Sequence, residues 1–342
     1  MNTGSDARFI VRSISEFIFT YVPSHLTESP NTIKAYKASI NLYLDFLEDI
    51  KQYSLRTICR KCFERQMIEE WLRYLRDERK CLPKTCNDRL GLFRTFLKYL
   101  GTRDTEYKYL YLEAMEIPLM KAGKKKVNGL TKEAIKAIIN EPDQHTIAGK
   151  RDLLFMMIAY GTAARMTEIL SIKMKHLHLE GEKPYVSVVG KGNKVRSLYL
   201  LPKVVTYTKQ YIKIVYGNTP DPERYLFNSR NGDGKGRLSS RAIEKRLHEY
   251  ACKAHEKCAD VPLDLHAHQF RHARATHWLE EGINILQISI LLGHENLETT
   301  MKYLDIGTED QIKALTTMDD ENDKKINKNW KQNKDSLKNI LR

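Results

Sequence analysis

Apolar residues recur at helical spacing through the first hundred positions. Ile33, Tyr36, Ile40, Tyr43, Leu47 and Ile50 are separated by alternating steps of three and four, which places them on one face of a helix. Ser29 followed by Pro30 supplies a start for that helix. Met67, Ile68, Trp71, Leu72 and Leu75 predict a second amphipathic helix, and Leu90, Phe93, Phe96, Leu97 and Leu100 a third that ends at Gly101. This part of the chain reads as a small all-helical bundle. The periodicity then stops: the run IPLMKAGKKKVNGL from Ile117 to Leu130 carries a proline, two glycines and four lysines, and reads as a linker.

Beyond it, Thr131 begins a helix, and the apolar run Leu153 to Tyr160 predicts a buried helical segment before Gly161. Tyr185, Ser187 and Val189 alternate with Val186 and Val188, and GKGNK turns the chain back into Arg196, Leu198 and Leu200, which predicts a β-hairpin. The remainder is mostly helical, with Ile285, Leu286, Ile288, Ile290, Leu291 and Leu292 expected in the core. From about Thr317 the chain is rich in Asp, Asn and Lys with few apolar residues, and is expected to order only against a partner. The expected organisation is a helical domain over 1–116, a basic linker over 117–130, a second domain over 131–316 and a polar tail over 317–342.

Length and composition agree with two ordinary domains: 342 residues with 42% hydrophobic content hold enough apolar material for two cores. Lys and Arg number 57 against 43 Asp and Glu, a net charge of +14, which favours a polyanionic partner such as nucleic acid. Arg89, Arg94 and Lys98 share the third helix with its apolar stripe and are expected to project outward toward a phosphate backbone. The linker lysines Lys124, Lys125 and Lys126 are expected to follow the same backbone. No apolar stretch approaches the roughly 20 residues needed to cross a bilayer, and the first residues lack the apolar core of a secretory signal, so a cytoplasmic location is expected. The six cysteines then read as thiols. Cys59, Cys62, Cys81 and Cys86 form a C-x2-C and a C-x4-C that offer a weaker zinc reading.

Four separated segments hold the polar groups that phosphoryl transfer requires: GTAARMTEIL, VVGKGNKVR, HAHQFRHARATH and LLGHENLETTMKYL. Arg165 and Arg271 can each offer a planar fork to phosphate oxygens. Lys191, in the hairpin turn, can protonate a leaving 5′-oxygen, and Lys194 three residues on is its competitor for that task and a further DNA contact. His268 and His294 can add hydrogen bonds or proton transfer, and Tyr303 is the candidate nucleophile, one of 18 tyrosines. Each residue alone has a plain alternative. Arg165 with Glu168 is also a surface i,i+3 ion pair, and His268 with His272 is also a helical metal pair, although no H-E-x-x-H carboxylate accompanies them.

Taken together these segments resemble the tyrosine recombinase, or phage integrase, family over nearly the whole chain. The family's first arginine, with an acidic residue three positions on, matches Arg165 and Glu168 after Gly161; its hairpin lysine matches Lys191. Its H-x-x-R pair matches His268 and Arg271, its L-G-H matches Leu292, Gly293 and His294, and its tyrosine nine residues after that histidine matches Tyr303. The chain departs from the family at Ala163 and Ala164, where glycine and leucine are common. The N-terminal likeness, N-T-x-x-x-Y over Asn31 to Tyr36, is less specific.

The resemblance implies a mainly α protein: a helical, SAM-like core-binding domain and a mostly helical catalytic domain with a small antiparallel sheet. It implies a DNA recombinase that forms a 3′-phosphotyrosyl bond through Tyr303, with Glu168 buttressing Arg165 and neither metal, ATP nor other cofactor required. Its partners would be double-stranded DNA and three further copies in a tetramer on two DNA sites, or one in a dimer on a single site, with accessory proteins. A short segment over Asp310 to Leu315 is expected to dock on a neighbouring copy. A mobile element, by phage integration or transposition, is the expected setting, with chromosome-dimer resolution as the alternative. Rival readings are a type IB topoisomerase and a non-catalytic DNA-binding factor.

Overall fold

A computed structural model describes residues 3–121, 123, 129–190, 194–229, 236–294 and 300. The chain divides into two compact units, Met1–Lys126 and Val127–Arg342.

In the first unit, α1 (Thr3–Glu16) runs on into a wider helical coil over Phe17–Leu26, a segment for which the hydrophobic pattern gave no expectation. α2 (Pro30–Asp45) starts where Ser29–Pro30 places it and continues as a wider turn over Phe46–Ile50. Ile40, Tyr43 and Leu47 of its stripe are buried, whereas Ile50 at the far end is 50% exposed. α3 (Arg65–Asp77) and α4 (Pro83–Arg103) follow, then α5 (Lys108–Glu116), which periodicity also missed. Tyr43 packs edge-on against Trp71 with ring centroids 5.0 Å apart and lies 4.2 Å from Phe93, so α2, α3 and α4 share one aromatic centre. Trp71 is fully buried, which contributes on the order of 2–3 kcal/mol.

Two expectations for this unit are corrected. Gly101 does not end α4; the helix passes through it to Arg103, and a Cβ at position 101 would lie 2.9 Å from Lys108 Cα. The glycine permits the close approach of α5. Arg94 does not project outward: its Nε donates to Ala114 O at 2.9 Å and its Nη2 to Ile117 O at 2.6 Å, so it binds the carbonyls at the end of α5. Burial lowers its pKa. Arg89 is half-buried, with Nη1 donating to Cys81 Sγ at 3.1 Å, and Lys98 is exposed. Lys124, Lys125 and Lys126 lie outside the described residues. The four cysteines of the zinc pattern form no ligand set: among the described residues no group of three or more His, Cys, Asp or Glu is placed to hold a metal.

The second unit begins with α6 (Lys132–Ile139), capped by the Thr131 hydroxyl, which accepts from Ala134 N at 3.0 Å. α7 (Ile147–Thr162) is the central helix, buried on all sides from Leu153 to Ala159 apart from Met157, and it runs one residue past Gly161. α8 (Met166–Leu170) leads to a sheet in the order β1 (Leu177–His178), β2 (Tyr185–Val189), β3 (Val195–Tyr199), all antiparallel. β2 and β3 pair from Tyr185↔Tyr199 to Val189↔Val195, and Gly190 N donates to Lys194 O at 2.8 Å across the base of the turn. Val186, Val188 and Leu198 face the core, as the alternation predicts. α9 (Pro202–Tyr216), α10 (Ser240–His255), α11 (Ala267–Glu280) and α12 (Ile285–Leu292) complete the described part. α12 is one-sided rather than wholly core: Ile288 and Leu292 are buried, while Leu286, Ile290 and Leu291 are 58%, 76% and 41% exposed. No described helix is long and apolar enough to cross a membrane.

Candidate active site

The ends of α7 and α12, the starts of α8 and α11 and strand β3 carry the groups that meet. Thr162 Oγ1 donates to Ile158 O at 2.7 Å and accepts from Ala164 N at 3.2 Å, closing the end of α7, while Ala163 adopts φ +52°. That left-handed conformation suits glycine better than alanine, so the departure at Ala163 carries backbone strain of order 1 kcal/mol. The bend leaves Ala163 O accepting a 2.6 Å hydrogen bond from Arg271 Nη1.

Arg165 occupies the cap position of α8, and Glu168 turns back to it. One Glu168 oxygen accepts from Arg165 N at 2.8 Å and the other from Arg165 Nη1 at 3.0 Å. Glu168 is only 4% exposed. The surface ion-pair alternative therefore fails for this carboxylate: it is enclosed, and Arg196 Nη2 donates to it as well, at 2.8 Å.

Arg271, on α11, is 1% exposed. Its Nη2 donates both to Leu292 O at 2.6 Å and to His294 Nε2 at 2.9 Å. An arginine has no acceptor to offer, so His294 Nε2 must accept and the proton must reside on Nδ1, which donates to Thr300 Oγ1 at 2.8 Å. His294 is thus assigned as neutral. Its pKa is lowered to about 4, by burial first and then by the positive charge of Arg271, Arg165 and Arg196. His268 stands at the exposed start of α11; its pKa is also lowered, by the protein packed around the ring and then by Arg271 and Arg165. His272 meets His268 edge-on at 5.6 Å and is lowered to about 4, chiefly by burial.

Five of the expected residues, Arg165, Glu168, His268, Arg271 and His294, therefore share one electrostatic neighbourhood. Lys191 and Tyr303 lie outside the described residues, as does Asp310 to Leu315. Lys194 is described and exposed at the end of the hairpin turn. Sequence reading passed over Arg196. Its only signal there was an arginine at an inward-alternating position of a strand, where a buried charge demands partners.

The sequence profile of the phage integrase family matches residues 128–310, more than half of the chain. The chain belongs to the phage integrase family. Its members, the tyrosine recombinases, are an enzyme class that cleaves and rejoins DNA. Among similar proteins, the tyrosine recombinase XerD of Listeria monocytogenes serovar 1/2a is 28% identical over 278 residues, spanning 80% of this chain and 88% of that protein. Among solved structures, XerH site-specific recombinase bound to its difH substrate aligns with a TM-score of 0.69 at 16% identity, over 93% of this chain and 97% of that one. The Tn1549 transposon integrase in complex with transposon right-end DNA aligns with a TM-score of 0.67 at 16% identity, over 89% of this chain and 98% of that one. These two share the mainly helical fold with its small antiparallel sheet.

Proposed function

We propose that this phage integrase family member is a site-specific recombinase in which Tyr303 attacks a scissile phosphate of duplex DNA, forming a 3′-phosphotyrosyl bond and freeing a 5′-hydroxyl. The observation that carries this reading is the gathering of Arg165, Arg271, His268 and His294 around one point, inside the region that matches the family. Two guanidinium groups there can neutralise the charge of a pentacoordinate phosphorane. They also favour the Tyr303 phenolate, whose ordinary pKa near 10 otherwise keeps it protonated. Neutral His294 is already joined to Arg271, which ties its ring to one of the two proposed phosphate-binding guanidinium groups. Lys191 is assigned the proton delivered to the leaving 5′-oxygen. The covalent bond conserves the energy of the phosphodiester, and attack by a second 5′-hydroxyl reverses the step.

Exchange of both strand pairs needs four such sites, so the proposed assembly is a tetramer on two DNA sites, with accessory proteins where the site demands them. Lys98, Arg89, Lys194 and the linker lysines are proposed phosphate contacts, and the setting is a mobile element in the cytoplasm. Covalent trapping tests the chemistry. The chain is mixed with nicked duplexes from the flanks of its own locus and resolved under denaturing conditions. A slow-migrating adduct is expected from the wild type and from Tyr250→Phe, and none from Tyr303→Phe. DNA binding without any adduct would favour the non-catalytic factor instead. An amplified circular junction of the locus would support the mobile element; its absence in cells expressing the active protein would count against that setting.

A further inference from the structure

We propose that Arg196 is a positioning residue that fixes the His294 turn and the Arg165–Glu168 pair relative to each other, a role that rests on the catalytic reading above. Its guanidinium joins two other chain segments to β3. Nη1 donates to Leu292 O at 2.8 Å, and Nη2 donates to Glu168 Oε2 at 2.8 Å. Leu292 O is the same carbonyl that accepts from Arg271 Nη2 at 2.6 Å, so two arginines from different elements meet on one acceptor immediately before the His294 turn. Glu168 in turn holds Arg165. One side chain from the strand leaving the lysine hairpin is thereby joined to the groups bearing Arg165, Arg271 and His294.

The turn itself is built around this side chain. Gly293 has φ +63°, and a Cβ added there would lie 1.8 Å from Arg196 Nη1. Two constraints converge on one glycine: the left-handed backbone that ends α12 and the space that the guanidinium fills. Gly293 N donates to Ile290 O and His294 N to Ser289 O, so the turn is closed from the helix side while Arg196 closes it from the sheet side. Burial of Arg196 disfavours its charge, and Glu168 opposes that effect. A buried guanidinium held in this way is costly to leave unpaired, which argues for the network as a unit.

Arg196 also adds to the positive field at His294. The charged and titratable groups that face the His294 ring are Arg271 and His268 from α11, Arg165 from the start of α8 and Arg196 from β3, with the Thr300 hydroxyl on Nδ1. Glu168 reaches it through the two arginines. Removing the Arg196 charge should therefore raise the His294 pKa, whereas a residue that merely filled space would leave it alone.

The test compares Arg196→Gln, Arg196→Lys and Gly293→Ala in the full chain. Three quantities are read: single-turnover cleavage of a nicked duplex, affinity for the same duplex, and the titration of the His294 ring by NMR in protein carrying labelled histidine. Arg196→Gln should slow cleavage by about a hundredfold, the scale of an ångström-sized misplacement, with affinity kept within about threefold. It should also raise the His294 titration above its value of about 4. Arg196→Lys keeps the charge but not the two-pronged geometry, so it should slow cleavage while leaving the titration in place. Gly293→Ala displaces an intact Arg196 and should reproduce the cleavage defect, which carries the test if Arg196→Gln does not fold. Wild-type cleavage by Arg196→Gln with His294 unmoved would overturn the proposal, as would loss of cleavage fully accounted for by lost affinity. Failure of the wild type to cleave at all would defeat the catalytic reading, and the His294 titration would still decide the role of Arg196.

Discussion

His268, His272 and His294 all stand near Arg271, and burial is the first cause that holds all three low, with His272 and His294 at about 4. In the unfolded chain each returns to about 6.5. Below that value the unfolded state takes up protons that the folded state refuses, so stability is intact above pH 6.5 and falls as the pH drops toward 4. The melting temperature should decline between pH 6.5 and 5, and His272→Asn, which removes one of these groups, should decline less over the same interval. Parallel curves for the two proteins would show that His272 titrates normally. At the same scale, residue type alone does not reveal a role. Arg94 reads as a phosphate contact in sequence, yet it ends on the carbonyls of Ala114 and Ile117, whereas Arg271 holds Ala163 O and Leu292 O and also meets His294. A buried guanidinium must find acceptors within its reach, and here most of them are backbone carbonyls without a sequence signature.

Helix ends were the least legible feature of the elements. Gly101 and Gly161 looked like terminators, but α4 and α7 pass through both. At Gly101 the reason is packing against α5, with Lys108 Cα in the place that a Cβ would need. Gly101→Ala therefore sets two effects against each other: better helix propensity, about 1 kcal/mol, and overpacking at a backbone neighbour, about 1–3 kcal/mol. The steric effect should win, because the backbone of α5 cannot yield as a flexible side chain does. A lower urea midpoint at unchanged slope is the expected result, and a raised midpoint would mean that α5 shifts at little cost. By contrast, the cap at Thr131, the helix start at Ser29–Pro30 and the alternation in β2 and β3 worked as local rules, since each depends on residues within a single turn or strand.

Across the molecule, the division into Met1–Lys126 and Val127–Arg342 falls within the lysine-rich run where hydrophobic periodicity stops. Besides trimming the lysine-rich tail beyond Thr317, trypsin should cut between the units among Lys121, Lys124, Lys125 and Lys126, leaving two fragments that resist further digestion. Early cleavage inside α4 or α7 instead would show that the units are not separately stable. The sequence by itself determined the family, the three helical stripes of the first unit, and the order and spacing of the catalytic candidates. It could do so because phosphoryl transfer demands particular residue types, and the pairs Arg165–Glu168 and His268–Arg271 lie within one helical turn. Only the tertiary structure decided which distant groups meet these candidates. Arg196 and Leu292 O are 96 residues apart. Ala163 O and the space above Gly293 are features of backbone path rather than of side-chain identity. Contacts of that kind arise when separate elements are pressed together by a common core, and no local pattern in the chain encodes them.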